Sequence, residues 1–381
     1  MGDGWVQRVR FLRVRSPSGG AVARRLGFAA LCAGMVWGLA AAAVASVAPS
    51  LAGDGTEFHQ TNLVSDLSTE GAMLVDPALK NPWGLALSAT SPLWVANNAS
   101  AAGTVYSIGA GAATVTAVPL AVAIPGGRAS TGDGPSPTGQ VFNATAGFGG
   151  ARFIFSSESG QISAWRPADG KTAELRFSSP TAVYKGLAIA GSGDGTFLYA
   201  SNFHDVSVDV FDTSFQKVRL AGDFSDPSLP HGYAPFGIQE LHGLIYVTYA
   251  KQNDAKHDDV AGQGHGFIDV YTVDGFLVKR LASRGSLDSP WGMATAPASF
   301  GAFAGKLLVG DFGDGRINLF DPFSGRLLGQ LRNEDGRPIA IDGLWGLKVG
   351  TAATGGTGTV LFSAGINGEQ DGLLGALTAA R

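Results

Sequence analysis

The chain has 381 residues, of which 45% are hydrophobic and 15% charged, with 56 glycines and a formal net charge of −4. Such a chain can bury a large core, which excludes intrinsic disorder, and its glycines follow no three-residue period, which excludes collagen. The acidic balance argues against nucleic acid and anionic membrane as partners.

In chain order, residues 1–52 come first. Arg8, Arg10, Arg13, Arg15, Arg24 and Arg25 stand against one acid, Asp3. A nearly uncharged stretch follows from Leu26 to Ala48, and small residues offer cleavage sites after Ala45 (Ala43-Val44-Ala45), Ala48 or Ala52. Basic, then apolar, then small is the order of a secretory signal. The stretch is also long enough to span a bilayer as an anchor, but its wealth of Ala and Gly favours cleavage. The expectation is a signal peptide with an n-region extension over 1–52 and a single domain over 53–381. The product is expected to be exported to the periplasm or medium and to carry no membrane anchor. Loss of those six arginines and Asp3 shifts the net charge to about −9. Cys32, the single cysteine, leaves with the signal, so no disulfide or thiolate site is expected.

The rest of the chain repeats. Asn81-Pro-Trp-Gly-Leu-Ala-Leu87 returns as Ser289-Pro-Trp-Gly-Met-Ala-Thr295 and Gly343-Leu-Trp-Gly-Leu-Lys-Val349. Weaker copies are Pro137–Phe142, Tyr184–Ile189 and Ala234–Gln239. Their glycines are Gly84, Gly139, Gly186, Gly237, Gly292 and Gly346, at intervals of 55, 47, 51, 55 and 54 residues. Further short apolar runs follow most copies, as in Leu307–Gly310, Arg316–Phe320 and Leu327–Leu331. Six copies of about four strands each specify an all-β, six-bladed β-propeller. The Trp-Gly pairs are expected to pack and pin the innermost strands, where glycine lets backbones approach. The sixth copy runs out of chain after three strands. Glu57–Val64, ahead of the first copy, is expected to supply its outer strand and close the ring.

The fifth copy, Ser289–Ala294 followed by Leu307–Asp321, resembles an NHL repeat. Residues 58–378 are similar to a family of exported bacterial NHL-like propeller proteins, some with a C-terminal sorting anchor. The stretches that carry the resemblance are Gln60–Asp66, Asn81–Leu85, Val183–Ile189, Lys256–Gly262, Gly310–Asn318 and Ile341–Gly346. The family implies the fold and export but brings no assigned activity.

In a propeller, loops between second and third strands share one face with the crossings between blades, and ligands bind there. The polar residues of those loops form the candidate binding face: Asn97, Asn98, Glu158, Asn202, Asp205, Lys256, Asp259, Asp311, Asn367 and Glu369. Oxygen donors converging from several blades suit Ca²⁺; the same residue types are also what tight turns require. The segment 251–266 is long for a hairpin. Its His257 and Asp258, and the pair His204 and Asp205, have the make-up of an acid/base couple, which makes His204, His257 and Asp258 the candidate catalytic residues. No serine-elbow, zinc-helix or phosphate-loop motif is present. Two functions fit: a monomeric module binding a small molecule or an extracytoplasmic protein on the channel face, or a Ca-dependent hydrolase or lyase acting on a lactone or sugar-acid-like substrate.

Overall fold

The computed structural model describes residues 56–128, 134–193 and 195–380. The expected signal segment, residues 1–52, lies outside them. Each repeat glycine sits in the innermost strand of one sheet, and six such sheets stand round an axis. Blades 1 to 5 begin with inner strands Pro82–Ala86, Pro137–Phe142, Tyr184–Ser192, Tyr233–Leu241 and Pro290–Thr295. Each continues outward through three more antiparallel strands in sequence order. The six-bladed propeller read from the repeat spacing is therefore the observed fold. No helix among the described residues is long and apolar enough to cross a membrane.

Burial follows position in the blade. The first two strands of blade 1, Pro82–Ala86 and Leu93–Asn97, are buried throughout. Its outermost strand, Val115–Ala123, alternates with exposed positions. Inner strands covered on both faces by neighbouring blades need continuous apolar runs, whereas outer strands need apolar residues on one face.

The repeat glycines form a belt at mid-depth. A Cβ on Gly237 would lie 2.1 Å from the Trp291 carbonyl of the next blade, and one on Gly346 would lie 2.6 Å from the carbonyl of Trp83 in the first blade. Adjacent inner strands approach too closely for any side chain there. Above the belt, Trp83 and Trp345 stack at 3.5 Å, and Trp291 meets each of them edge-on. Both stacked indoles donate to Asn81 Oδ1, at 3.0 and 3.1 Å. The Trp-Gly pairs thus do structural work, as expected.

Blade 6 takes inner strands Leu344–Val349, Val360–Ala364 and Leu373–Ala379 from the end of the chain and its fourth from Phe58–Ser65. Phe58 faces Ala379 and Ser65 faces Leu373. The closing strand is the expected one, shifted by a single residue and extended by a short parallel strand, Leu74–Val75. Phe58, Leu63 and Val64 are fully buried, each contributing about 1.5–3 kcal/mol of apolar burial. Lys80 fastens the junction, reaching Asp66 at 2.5 Å and Asp371 at 3.2 Å.

Candidate functional site

The channel has two mouths. The upper one lies where the second strands end and the chain crosses between blades. Successive strand residues point to opposite sides, and that rule sorts the polar pairs found there. Asn97, the last residue of its strand, turns into blade 1 and donates to Ala102 O and Thr104 Oγ1. Asn98 instead donates to Glu158 Oε2 in blade 2, at 2.8 Å. Asn202 and Asp311 behave like Asn97. Asn202 donates to Asp205 and Asp209 within its own blade, and Asp311, fully buried, accepts from Asn318 at 2.6 Å.

The residue that organises the mouth is Lys185, which precedes Gly186 on the inner strand of blade 3. The equivalent position holds Trp83, Phe236, Trp291 and Trp345 in four other blades. Its backbone is held by the Trp291 indole, which donates to Lys185 O at 2.9 Å. Its side chain, 3% exposed, reaches Glu158 Oε1 at 2.5 Å and Asp258 Oδ1 at 3.3 Å. The ammonium also lies 5.4 Å from the ring centre of Trp83 and 5.8 Å from that of Phe203, within the range of cation–π attraction.

The segment 251–266 delivers the blade 4 groups, and it is a folded tongue. Val260 N donates to Lys251 O, Asn253 N donates to Asp258 O, and the Asn253 side chain accepts from His257 N. Farther along, His265 Nδ1 lies 2.7 Å from Val260 O, and Gly262 N donates to Asp288 Oδ1. These bonds set His257 Nδ1 2.7 Å from Asp258 Oδ1. Lys256 sits exposed at the turn, with φ of 54°. From blade 6, Glu369 Oε2 accepts from Asn81 Nδ2 at 3.1 Å.

Electrostatics follow from this crowding. Burial alone would push the Lys185 ammonium down, but Glu158, Asp258 and Asp259 outweigh it and hold its pKa above the ordinary value. The hydrogen bond with Asp258 raises His257 and in return holds Asp258 well below the usual carboxylate range. Burial raises Asp259. Glu369 is pushed up to about 7, first by burial and then by repulsion from Glu158, against the pull of Lys185. A carboxyl that titrates near neutrality can give or take a proton.

Glu158, His257 and Asp258 each offer a donor atom within 4.8 Å of the others, the spacing of a metal triad. The Lys185 ammonium already lies within 3.3 Å of both carboxylates. A divalent ion would have to displace or closely approach a cation, so this arrangement does not fit a resident Ca²⁺.

Of the expected site residues, Asn98, Glu158, His257, Asp258, Asp259 and Glu369 come together round Lys185. Asn97, Asn202 and Asp311 are turned into their blades. His204 and Asp205 form a separate exposed pair, 2.9 Å apart, tied to Thr181 and Asn202. Asn367 donates to Asp371 at the rim. Lys185 and Asn81 escaped the sequence reading. The signal was a lysine at a repeat position that is aromatic in four blades.

No protein-family model matches the sequence. Among solved structures, the soluble aldose sugar dehydrogenase of Escherichia coli is similar with a TM-score of 0.55, at 11% identity over 85% of this chain and all of that one. Virginiamycin B lyase of Staphylococcus aureus is similar with a TM-score of 0.50, at 14% identity over 84% of this chain and 99% of that one. At these identities the likeness concerns the fold alone. Two proteins of Acanthamoeba polyphaga mimivirus are similar in sequence. Uncharacterized protein R648 is 33% identical over 344 residues, 84% of this chain and 80% of the relative. Uncharacterized protein L690 is 33% identical over 320 residues, 79% and 81% respectively. The chain belongs to the same family as these two viral proteins.

Proposed function

We propose that the chain is a binding propeller that captures a small polar molecule at the upper mouth of its channel. One observation carries this: polar side chains from four blades gather there round the single buried ammonium of a fifth, Lys185. Carboxylates outnumber cations in the cluster, so the favoured ligand presents hydroxyl or ammonium donors. Thermal shift with neutral polyols, sugar acids and short polyamines tests the reading. Stabilisation by a polyol or amine should be lost in Glu158→Gln and kept in Asp205→Asn, which alters the separate pair. Absence of any shift across the panel would overturn it.

A second reading rests on Glu369, whose pKa near 7 suits a general acid or base. In that reading the mouth performs hydrolysis or elimination on a lactone or sugar-acid-like substrate, and Lys185 supplies the positive charge otherwise expected of a metal. Turnover that survives a chelator and is lost in Glu369→Gln would support it. Export to the periplasm or medium, as in the bacterial NHL-like proteins that the repeats resemble, forms part of the proposal. N-terminal sequencing of the cellular product tests that part.

A further inference from the structure

The lower mouth, where first strands turn into second strands, has a different chemistry. Below the glycine belt, a cavity of about 130 Å³ is lined by Leu87, Gln140, Val141, Gln239, Glu240 and Lys348, among others. A smaller space of about 30 Å³, also lined by Gln140 and Gln239, lies at the level of the belt. Spaces of this size admit water or a small organic ion.

Two groups on this cavity lack the partners their chemistry demands. Gln140 is 5% exposed, yet neither its Oε1 nor its Nε2 has a hydrogen-bond partner among the described residues. A buried amide left in that state is costly, and native proteins satisfy such groups with water or ligand. Lys348, partly buried on the inner strand of blade 6, two blades round the ring from Gln140, makes no ion pair with the described residues. Burial lowers its pKa, with only the more distant charge of Glu240 opposing. The Glu240 carboxylate is itself engaged by Gly243 N at 2.7 Å.

An acceptor that carries negative charge repairs both deficits at once. We propose that the lower mouth binds a small carboxylate between Lys348 and Gln140. One carboxylate oxygen pairs with the Lys348 ammonium and the other accepts from Gln140 Nε2. A hydroxyl on the neighbouring carbon would donate to Gln140 Oε1, and a short alkyl tail would meet Leu87 and Val141. The site lies at the other end of the channel from the Lys185 cluster, and it stands whether or not the upper mouth binds a ligand.

Thermal unfolding in sodium acetate and sodium glycolate, against sodium chloride at equal ionic strength, tests the proposal. At a concentration about tenfold above Kd, each carboxylate should raise Tm by about 2–3 °C, with glycolate acting at the lower concentration. Lys348→Met should abolish the rise, and Gln140→Leu should weaken it. An equal rise in chloride, or a rise that survives in Lys348→Met, would overturn the proposal. If Lys348→Met does not fold, crystals of the wild-type protein soaked in sodium glycolate decide the matter: glycolate density between Lys348 and Gln140 supports the site, and its absence overturns it.

Discussion

Lys185 and Lys348 both leave inner strands to line the same channel, but their environments move them in opposite directions. At the upper mouth, Glu158, Asp258 and Asp259 more than offset the loss of water, and the Lys185 ammonium is favoured. At the lower mouth only Glu240 helps, and the Lys348 ammonium is disfavoured. The contrast shows that burial alone does not set the charge of a lysine. The number of carboxylates brought within reach decides it, and in a propeller that number depends on which loops converge.

Three experiments can break or sharpen this contrast. Lys185→Met would leave the surrounding carboxylates without their central cation. Removing one partner of a buried ion pair costs about 3–5 kcal/mol, which urea unfolding at pH 7 should show. A loss below about 1 kcal/mol would mean that Lys185 does not organise the mouth.

The second effect is smaller and depends on pH. The Glu369 pKa is raised from 4.5 to about 7 on folding, so between these values the folded protein holds more proton than the unfolded chain. Stability should therefore fall as pH climbs through that window and level off above it. After discounting for partial solvent access, the drop should be on the order of 1–2 kcal/mol. Unfolding midpoints at pH 5 and pH 8 should differ less in Glu369→Gln than in the wild type. An unchanged pH slope would place the carboxyl in an ordinary environment.

The smallest expected change is at the lower mouth. Without added carboxylate, Lys348→Met should be neutral or stabilising by up to about 1 kcal/mol, because it replaces an unpaired, partly buried cation with an apolar chain. A loss comparable to that of Lys185→Met would show that the two lysines are alike and erase the contrast.

The fold was legible because the repeat is a packing constraint. Gly237 and Gly346 sit where neighbouring backbones nearly touch, so the sequence must return to glycine once per blade. Glu57–Val64 was legible because a three-stranded sixth repeat demands a fourth strand. The site was only partly legible. Loop position identified Asn98, Glu158, His257, Asp258, Asp259 and Glu369, but it also selected Asn97, Asn202 and Asp311. A shift of one residue along a strand reverses the side to which a side chain points, and strand ends cannot be located that finely from a sequence. Lys185 was missed for the opposite reason: it sits inside the repeat motif, where a residue looks structural by default. The empty partnering of Gln140 had no signal at all, since it depends on what the other blades fail to offer.

The closing strand has a consequence for how the protein is made. Phe58–Ser65 is synthesised before any blade, yet its partner Leu373–Ala379 leaves the ribosome only after all the others. Throughout translation the growing chain therefore carries an unclasped first strand and an exposed edge on its newest blade, both open to pairing with the wrong partner. The ring cannot close until that last strand has emerged, however quickly each blade forms. The clasp that makes the finished propeller robust also makes its birth a period of exposure, one that ends in a single late event.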